Sequence, residues 1–118
     1  MRTYGTIAGA MCAVTALAWA ANVASAQSSA SARGEAIAER LCARCHAIRQ
    51  TGPSPMGLAP PFRDLSKRYP VEHLAEALAE GIVTGHPAMP HFTFDPPEIE
   101  ALLTYMAGLS PDSPPGKR

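Results

Sequence analysis

The sequence is poor in the features that most readily announce a function. Ten Lys and Arg balance ten Asp and Glu over 118 residues, so the formal net charge is zero. That balance gives no case for nucleic acid or an anionic membrane as a partner. Only three cysteines occur, and no long-range disulfide framework can be drawn from them. No internal repeat is present, and no strand-like alternation runs beyond a few residues. No acid/base constellation stands out, so the chain does not read as an enzyme.

The N-terminus is low in charge too. Arg2 is its only cation, and residues 7–23 are uncharged and mostly small and apolar. Ala24-Ser25-Ala26 then precedes Gln27. This is the layout of a secretory signal peptide over residues 1–26, cleaved after Ala26, and it predicts export to the periplasm. The alternative is a retained membrane anchor. The uncharged run is nearly long enough to span a bilayer, but alanine dominates it, with single Ile, Leu and Trp residues. Cys12 lies inside this segment. Gly-Ala-Met-Cys lacks the upstream leucine of a lipoprotein site, so Cys12 leaves with the signal.

Cleavage leaves 92 residues, with nine Lys and Arg against ten Asp and Glu. That is one small domain with no stable membrane span, too short for a generous core. Domains of this size commonly recruit a metal or cofactor.

What is present is organised by its punctuation. Residues 27–32 read as a flexible lead-in, 33–110 as the folded domain and 111–118 as a disordered tail. Ile37, Leu41, Cys45 and Ile48 recur at helical spacing, predicting an amphipathic helix over 34–48. Residues 49–61 hold four prolines and two glycines and predict a loop. Phe62–Tyr69 suggests a short helical turn. Pro70 opens a second helix with Val71, Leu74, Leu78 and Ile82 on one face, ending near Gly81. Residues 81–94 predict another loop. Asp95, Pro96 and Glu98 form a strong helix start, with Asp95 as N-cap and Glu98 closing a capping box. Ile99, Leu102, Leu103 and Met106 give the stripe of the last helix. The expected fold is all-α: three main helices, a short helical turn and two long wrapping loops.

The chemistry concentrates in Cys42-Ala43-Arg44-Cys45-His46. Three readings compete. A thioredoxin-like dithiol needs a surrounding βαβ sheet, and no strands are predicted. Zinc needs four ligands, usually from two paired sets. His73, His86 or His91 could join Cys42, Cys45 and His46, but no second paired motif exists. The third reading is covalent haem, for which C-x-x-C-H is the attachment signature. Each thiol adds to one of two vinyl groups on neighbouring pyrroles, and the following histidine lies under the iron. Export fits, because bacterial thioether formation takes place outside the cytoplasm. Haem c, one per chain, is the favoured cofactor, with Cys42 and Cys45 as its anchors and His46 as an iron ligand.

Met56, Met89 and Met106 are candidates for the sixth ligand. Met106 sits on the apolar stripe of the last helix, as core. Met56 follows His46 too closely in sequence. Met89 is far enough downstream for two helices to pack first, and Pro87 and Pro90 stiffen its loop. Histidine with methionine is a known haem pairing that raises the reduction potential. His86 and His91 are alternatives, with surface positions as their simpler reading. His73 reads as solvated.

From about Gly34 to Leu109 the chain resembles a class I monohaem c-type cytochrome. Gly34, eight residues before Cys42, together with Leu102 and Tyr105, matches the family's crossing of first and last helices. Ala59-Pro60-Pro61-Phe62 is similar to its Gly-Pro-x-Leu segment, which implies that the Pro60 carbonyl accepts a hydrogen bond from the haem histidine. The segment around Ala88-Met89-Pro90 is similar to its Met-Pro loop. Ala38 stands where many relatives carry an aromatic, and Ala59 replaces the usual glycine.

Among Arg63, Lys67, Arg68 and Tyr69, one or two are expected at the haem propionates, with Tyr69 the named candidate. Arg44 is expected to point outward at the haem edge. The expected haem cavity is lined by Cys42, Cys45, His46, Pro60, Phe62 and Leu65 on one part of the chain, and by Leu74, Leu78, Met89 and Phe92 on the other. Electrons are expected to pass at the thioether edge, over an uncharged patch of Ala43, Ala47, Pro87 and Ala88, with little charge steering. The function implied is a soluble periplasmic electron carrier serving redox proteins, as a monomer. The alternative is a cytochrome subunit of a periplasmic oxidoreductase. A gas sensor or peroxidase-like haem would need an open iron position, and Met89 argues against it.

Overall fold

The computed structural model describes the backbone of residues 8–81 and 88–110, and side chains from Asn22 onward. Four α-helices follow in order: α1 (Ala8–Leu41), α2 (Phe62–Leu65), α3 (Leu74–Glu80) and α4 (Pro96–Gly108), with a 3₁₀ turn at Val71–His73 ahead of α3. No strand occurs among the described residues. The all-α expectation stands.

α1 is longer at its start than the sequence pattern predicts. Residues 27–32, expected as a flexible lead-in, continue the helix. The serines there do not break it, because Ser28 and Ser29 donate their hydroxyls back to the Ser25 and Ala26 carbonyls at 2.8 Å. Alanine supplies the helix propensity. Residues 22–29 are exposed, and Ala30 is buried. No described helix is long and apolar enough to cross a membrane.

At its other end α1 is shorter than predicted, stopping at Leu41 rather than Ile48. The Ala38 carbonyl accepts from both Cys42 N and Ala43 N at 2.9 Å, which widens the last turn. Cys42 O then accepts from Cys45 N at 3.0 Å and His46 N at 2.9 Å. A second, tighter turn thus carries the CxxCH segment. The apolar spacing that suggested a longer helix persists because a turn of this kind preserves it.

The two terminal helices cross at Gly34. A Cβ built there would lie 2.0 Å from the Ala101 carbonyl oxygen and 2.7 Å from the Tyr105 Cβ. No side chain fits such a gap. Beside it, Ala38 is fully buried and Ala101 nearly so, so the crossing is packed by small groups. The Tyr105 hydroxyl donates to the Ile48 carbonyl at 2.8 Å, and Arg49 pairs with Glu35 and Glu39 on α1. The segment after the CxxCH turn is thereby bound to both helices.

The start of α4 is as predicted. Asp95 caps Glu98 N at 2.9 Å, and the Glu98 carboxylate accepts from Asp95 N. Ile99, Leu102 and Met106 bury the apolar stripe, with Leu103 partly covered. α3 buries Leu78 and ends at Gly81, whose φ of 90° is the conformation only glycine adopts freely. Ile82 and residues 111–118 lie outside the described residues.

The Gly34 contact makes a direct prediction. Gly34→Ala should lower stability by about 1–3 kcal/mol, despite alanine's better helix propensity, because the backbone must separate. Gly57→Ala, with no atom within 4 Å of its Cβ position, should change thermal unfolding little.

Candidate functional site

The elements enclose a cavity of about 700 Å³. All ten residues expected from sequence line it: Cys42, Cys45, His46, Pro60, Phe62 and Leu65 from the first half, and Leu74, Leu78, Met89 and Phe92 from the second. Leu102 and Met106 of α4 close the inner wall. The size falls within the ~300–1,000 Å³ of small-molecule sites, and the lining is mainly apolar.

His46 is oriented by its surroundings. Its Nδ1 lies 2.8 Å from the Pro60 carbonyl oxygen. A carbonyl can only accept, so Nδ1 carries a proton and Nε2 is the ring nitrogen available to a metal. The ring also leans against Phe62, with centroids 5.4 Å apart. The backbone on either side of His46 is bonded to the loop that carries Pro60. Met56 N donates to Cys45 O at 3.1 Å. Phe62 N donates to Ala47 O at 3.0 Å. Ala47 N donates to Ser54 Oγ at 3.0 Å. The Arg63 guanidinium binds the Arg49 and Gly52 carbonyls at 3.2 and 2.9 Å and braces the same loop.

The thiols differ from a reactive dithiol. Burial pushes the Cys42 thiol up to about 11, and neighbouring Cys45 adds to the effect. A redox-active cysteine needs its thiolate stabilised, the opposite shift. The zinc reading also loses support, because no group of three or more His, Cys, Asp or Glu side chains gathers among the described residues.

The four polar candidates separate into two pairs. Arg68 and Tyr69 line the cavity. Arg63 instead braces the 49–61 loop, and Lys67 pairs with Asp64 at 2.6 Å. Arg40 and Arg44 also line the cavity, and Arg44 is exposed as expected. Arg40 was not foreseen, since residues two apart on a helix do not share a face. Met89 lines the cavity, as do Met56 and Met106. His91 and His73 are exposed and do not line it, while His86 and Pro87 lie outside the described residues. Ala47, expected in an exposed patch, is buried, since its backbone is bonded on both sides to the loop. Met56 and Leu58 are the exposed large apolar side chains here, and sequence reasoning gave them no such place.

A glycine-mediated helix crossing, a CxxCH turn and a histidine held by a proline carbonyl over an apolar cavity together define a small c-type cytochrome domain. The family model described as cytochrome c oxidase, cbb3-type, subunit III matches residues 29–106, and the chain belongs to that family. No curated protein and no solved structure gives a match. Membership brings covalently attached haem c and haem-based electron transfer. The donor set fits the group: two thiols three residues apart, an imidazole with a free Nε2 and an apolar cleft.

Ser54→Ala should leave the buried Ala47 N–H without a partner and cost about 1–3 kcal/mol. Ser54→Thr should retain the bond. Denaturant unfolding of the haem-loaded protein distinguishes the two.

Proposed function

We propose that the protein is a periplasmic one-electron carrier, with haem c held by thioethers at Cys42 and Cys45 and the iron coordinated by His46 and Met89. The observation that carries this reading is the bond from His46 Nδ1 to the Pro60 carbonyl beside the paired thiols. The bound group supplies the Fe(III)/Fe(II) couple. The bond from Nδ1–H to a carbonyl fixes the orientation of the His46 ring. Burial by Leu74, Leu78, Leu102 and Phe92 keeps water away and favours a raised potential with a thioether ligand.

Met89 is favoured over Met56 by connectivity. Met56 N is bonded to Cys45 O, which ties it to the segment that carries His46. Met89 comes from the segment between α3 and α4 and approaches independently. Met106 is packed into the core at 3% exposure. Arg68 and Tyr69 are the residues available to the propionates, whose charges need partners when buried. With His46 and Met89 both holding the iron, no site would be left open for gas binding or peroxidase chemistry, and the protein is read as a non-enzyme.

Export is supported by Ala24-Ser25-Ala26, because residues 22–29 are all exposed and free of packing against the domain. Mass spectrometry of the exported protein should find Gln27 at its N-terminus. A second reading, a cytochrome subunit of a periplasmic oxidase or related oxidoreductase, is favoured by the family's description. Co-purification with a larger redox complex would support it over a free monomer.

Haem staining after denaturing electrophoresis tests attachment. The Cys42→Ala/Cys45→Ala variant should lose the stain, and undiminished stain would refute the thioether assignment. Met89→Ala should abolish the long-wavelength ferric band of iron–thioether bonding, and Met56→Ala should leave it intact. The reverse result would exchange the two methionines.

A further inference from the structure

We propose that the mature chain is modified at Gln27: once residues 1–26 are removed, the α-amine of Gln27 closes on its own side-chain amide, and the protein begins with a neutral pyroglutamyl lactam. The proposal rests on the export reading and assigns the new N-terminus a chemistry.

Gln27, Ser28 and Ser29 are exposed, whereas Ala30 is buried. The mature chain therefore starts with a short solvated stub ahead of the packed part of α1. The Ser28 and Ser29 hydroxyls donate to the carbonyls of Ser25 and Ala26 at 2.8 Å. Both acceptors belong to the removed segment. Cleavage thus takes from these serines the bonds that seat them inside α1, and leaves them at a helix start. A serine oxygen there accepts from the unpaired N–H groups of the first turn. With Ser28 as the cap, helical torsions begin at Ser29, and Gln27 lies outside the helix. Its amine and its side chain are then both free in solvent.

The reaction needs nothing further. An α-amine titrates near ~8, so a neutral, nucleophilic fraction exists at neutral pH. In glutamine this nitrogen reaches its own Cδ by closing a pyrrolidone ring, and intramolecular placement replaces a bimolecular encounter. The N–Cδ bond forms, the Cδ–Nε2 bond breaks, and Nε2 leaves as ammonia with a proton from the amine. Nothing is oxidised or reduced. The product also suits the start of a helix. A protonated α-amine opposes the positive end of the helix dipole, and the lactam removes that charge. It removes as well the free amine on which an aminopeptidase acts. The residues so protected lead to Gly34, whose approach to Ala101 sets the crossing of α1 and α4.

The test is mass spectrometry of the haem-loaded protein freshly exported from a bacterial host, with free amines labelled by reductive methylation before any digestion. The wild type should be lighter by one ammonia than a chain starting at an open Gln27, and its tryptic peptide 27–33 should carry no label. Gln27→Asn, one methylene too short to close an unstrained ring, should start at residue 27 with a labelled amine. Its haem spectrum should match the wild type, because residue 27 is exposed and outside the haem cavity. On incubation with an aminopeptidase the wild type should keep its mass, while Gln27→Asn loses residues toward Ala30. Should Gln27→Asn escape cleavage, Gln27→Ala carries the same comparison. A labelled amine on wild-type Gln27, a blocked Gln27→Asn, or a wild type trimmed as the variant is would each overturn the cyclisation and leave the export reading standing. A chain that begins ahead of Gln27 would overturn the export reading, and the modification with it.

Discussion

A missing side chain sets the geometry of this domain. At Gly34 the backbone of α1 comes so near Ala101 that any Cβ would overlap the carbonyl oxygen. That approach fixes how α1 and α4 cross, and the crossing fixes the cavity. Cys42 and Cys45 follow Gly34 by two to three turns, while Leu102 follows Ala101 directly and Met106 lies just over one turn beyond it. Widening the crossing would move the attachment turn away from the wall it must face. Ala38, fully buried beside the contact, shows why a bulky residue is not needed there. Ridges of small groups already fill the space.

Around that crossing, the 49–61 loop substitutes for a scaffold that a domain this small lacks. Its prolines prevent a regular element, so its polar backbone groups need specific partners. Several of those partners are the residues that flank His46. Cys45 O and both backbone groups of Ala47 are bonded to the loop, and the imidazole itself is bonded to Pro60. Orientation of the histidine therefore follows from the same bonds that order the loop. Structure and site are a single network here, and Arg63 belongs to it from the far side.

The legible part of the sequence was the part governed by short-range rules. Asp95-Pro96-Pro97-Glu98 encodes its capping box within four residues. The CxxCH motif could be read from the string, whereas Gly34 and Pro60 were placed by the resemblance to c-type cytochromes and are seen here as a close backbone approach and a carbonyl acceptor. The rest depended on three-dimensional partners. The helix end at Leu41 was hidden because a turn with i−3 and i−5 bonds keeps apolar residues at nearly helical spacing. The serine-rich stretch 27–32 resembled a linker, since composition does not reveal that Ser28 and Ser29 bond back to the helix. Among Arg63, Lys67, Arg68 and Tyr69, the sequence singled out Tyr69 but could not tell the three cations apart. They separate only when α2 turns two of them toward the loop and Asp64, and leaves the other two at the cavity.

The same limit applies to charge. A net charge of zero suggests a surface without preferred sign, yet net charge is a sum and steering depends on position. Arg49 draws Glu35 and Glu39 toward itself, on the side where α1 meets the segment after the CxxCH turn. Asp64 is taken by Lys67, whose hydrogen bond lowers the carboxyl below its ordinary range. These pairings occupy Glu35, Glu39 and Asp64, and Arg40 and Arg44 make no ion pair among the described residues. Ala47, meanwhile, is drawn inward by its two backbone bonds, and Leu58 is pushed outward on a closed turn. Loop hydrogen bonding thus decides which apolar residues face solvent, and ion pairing on α1 decides which charges accompany them. Both are set by the chain's packing against His46, so the binding of the cofactor and the character of the surface beside it have one structural origin.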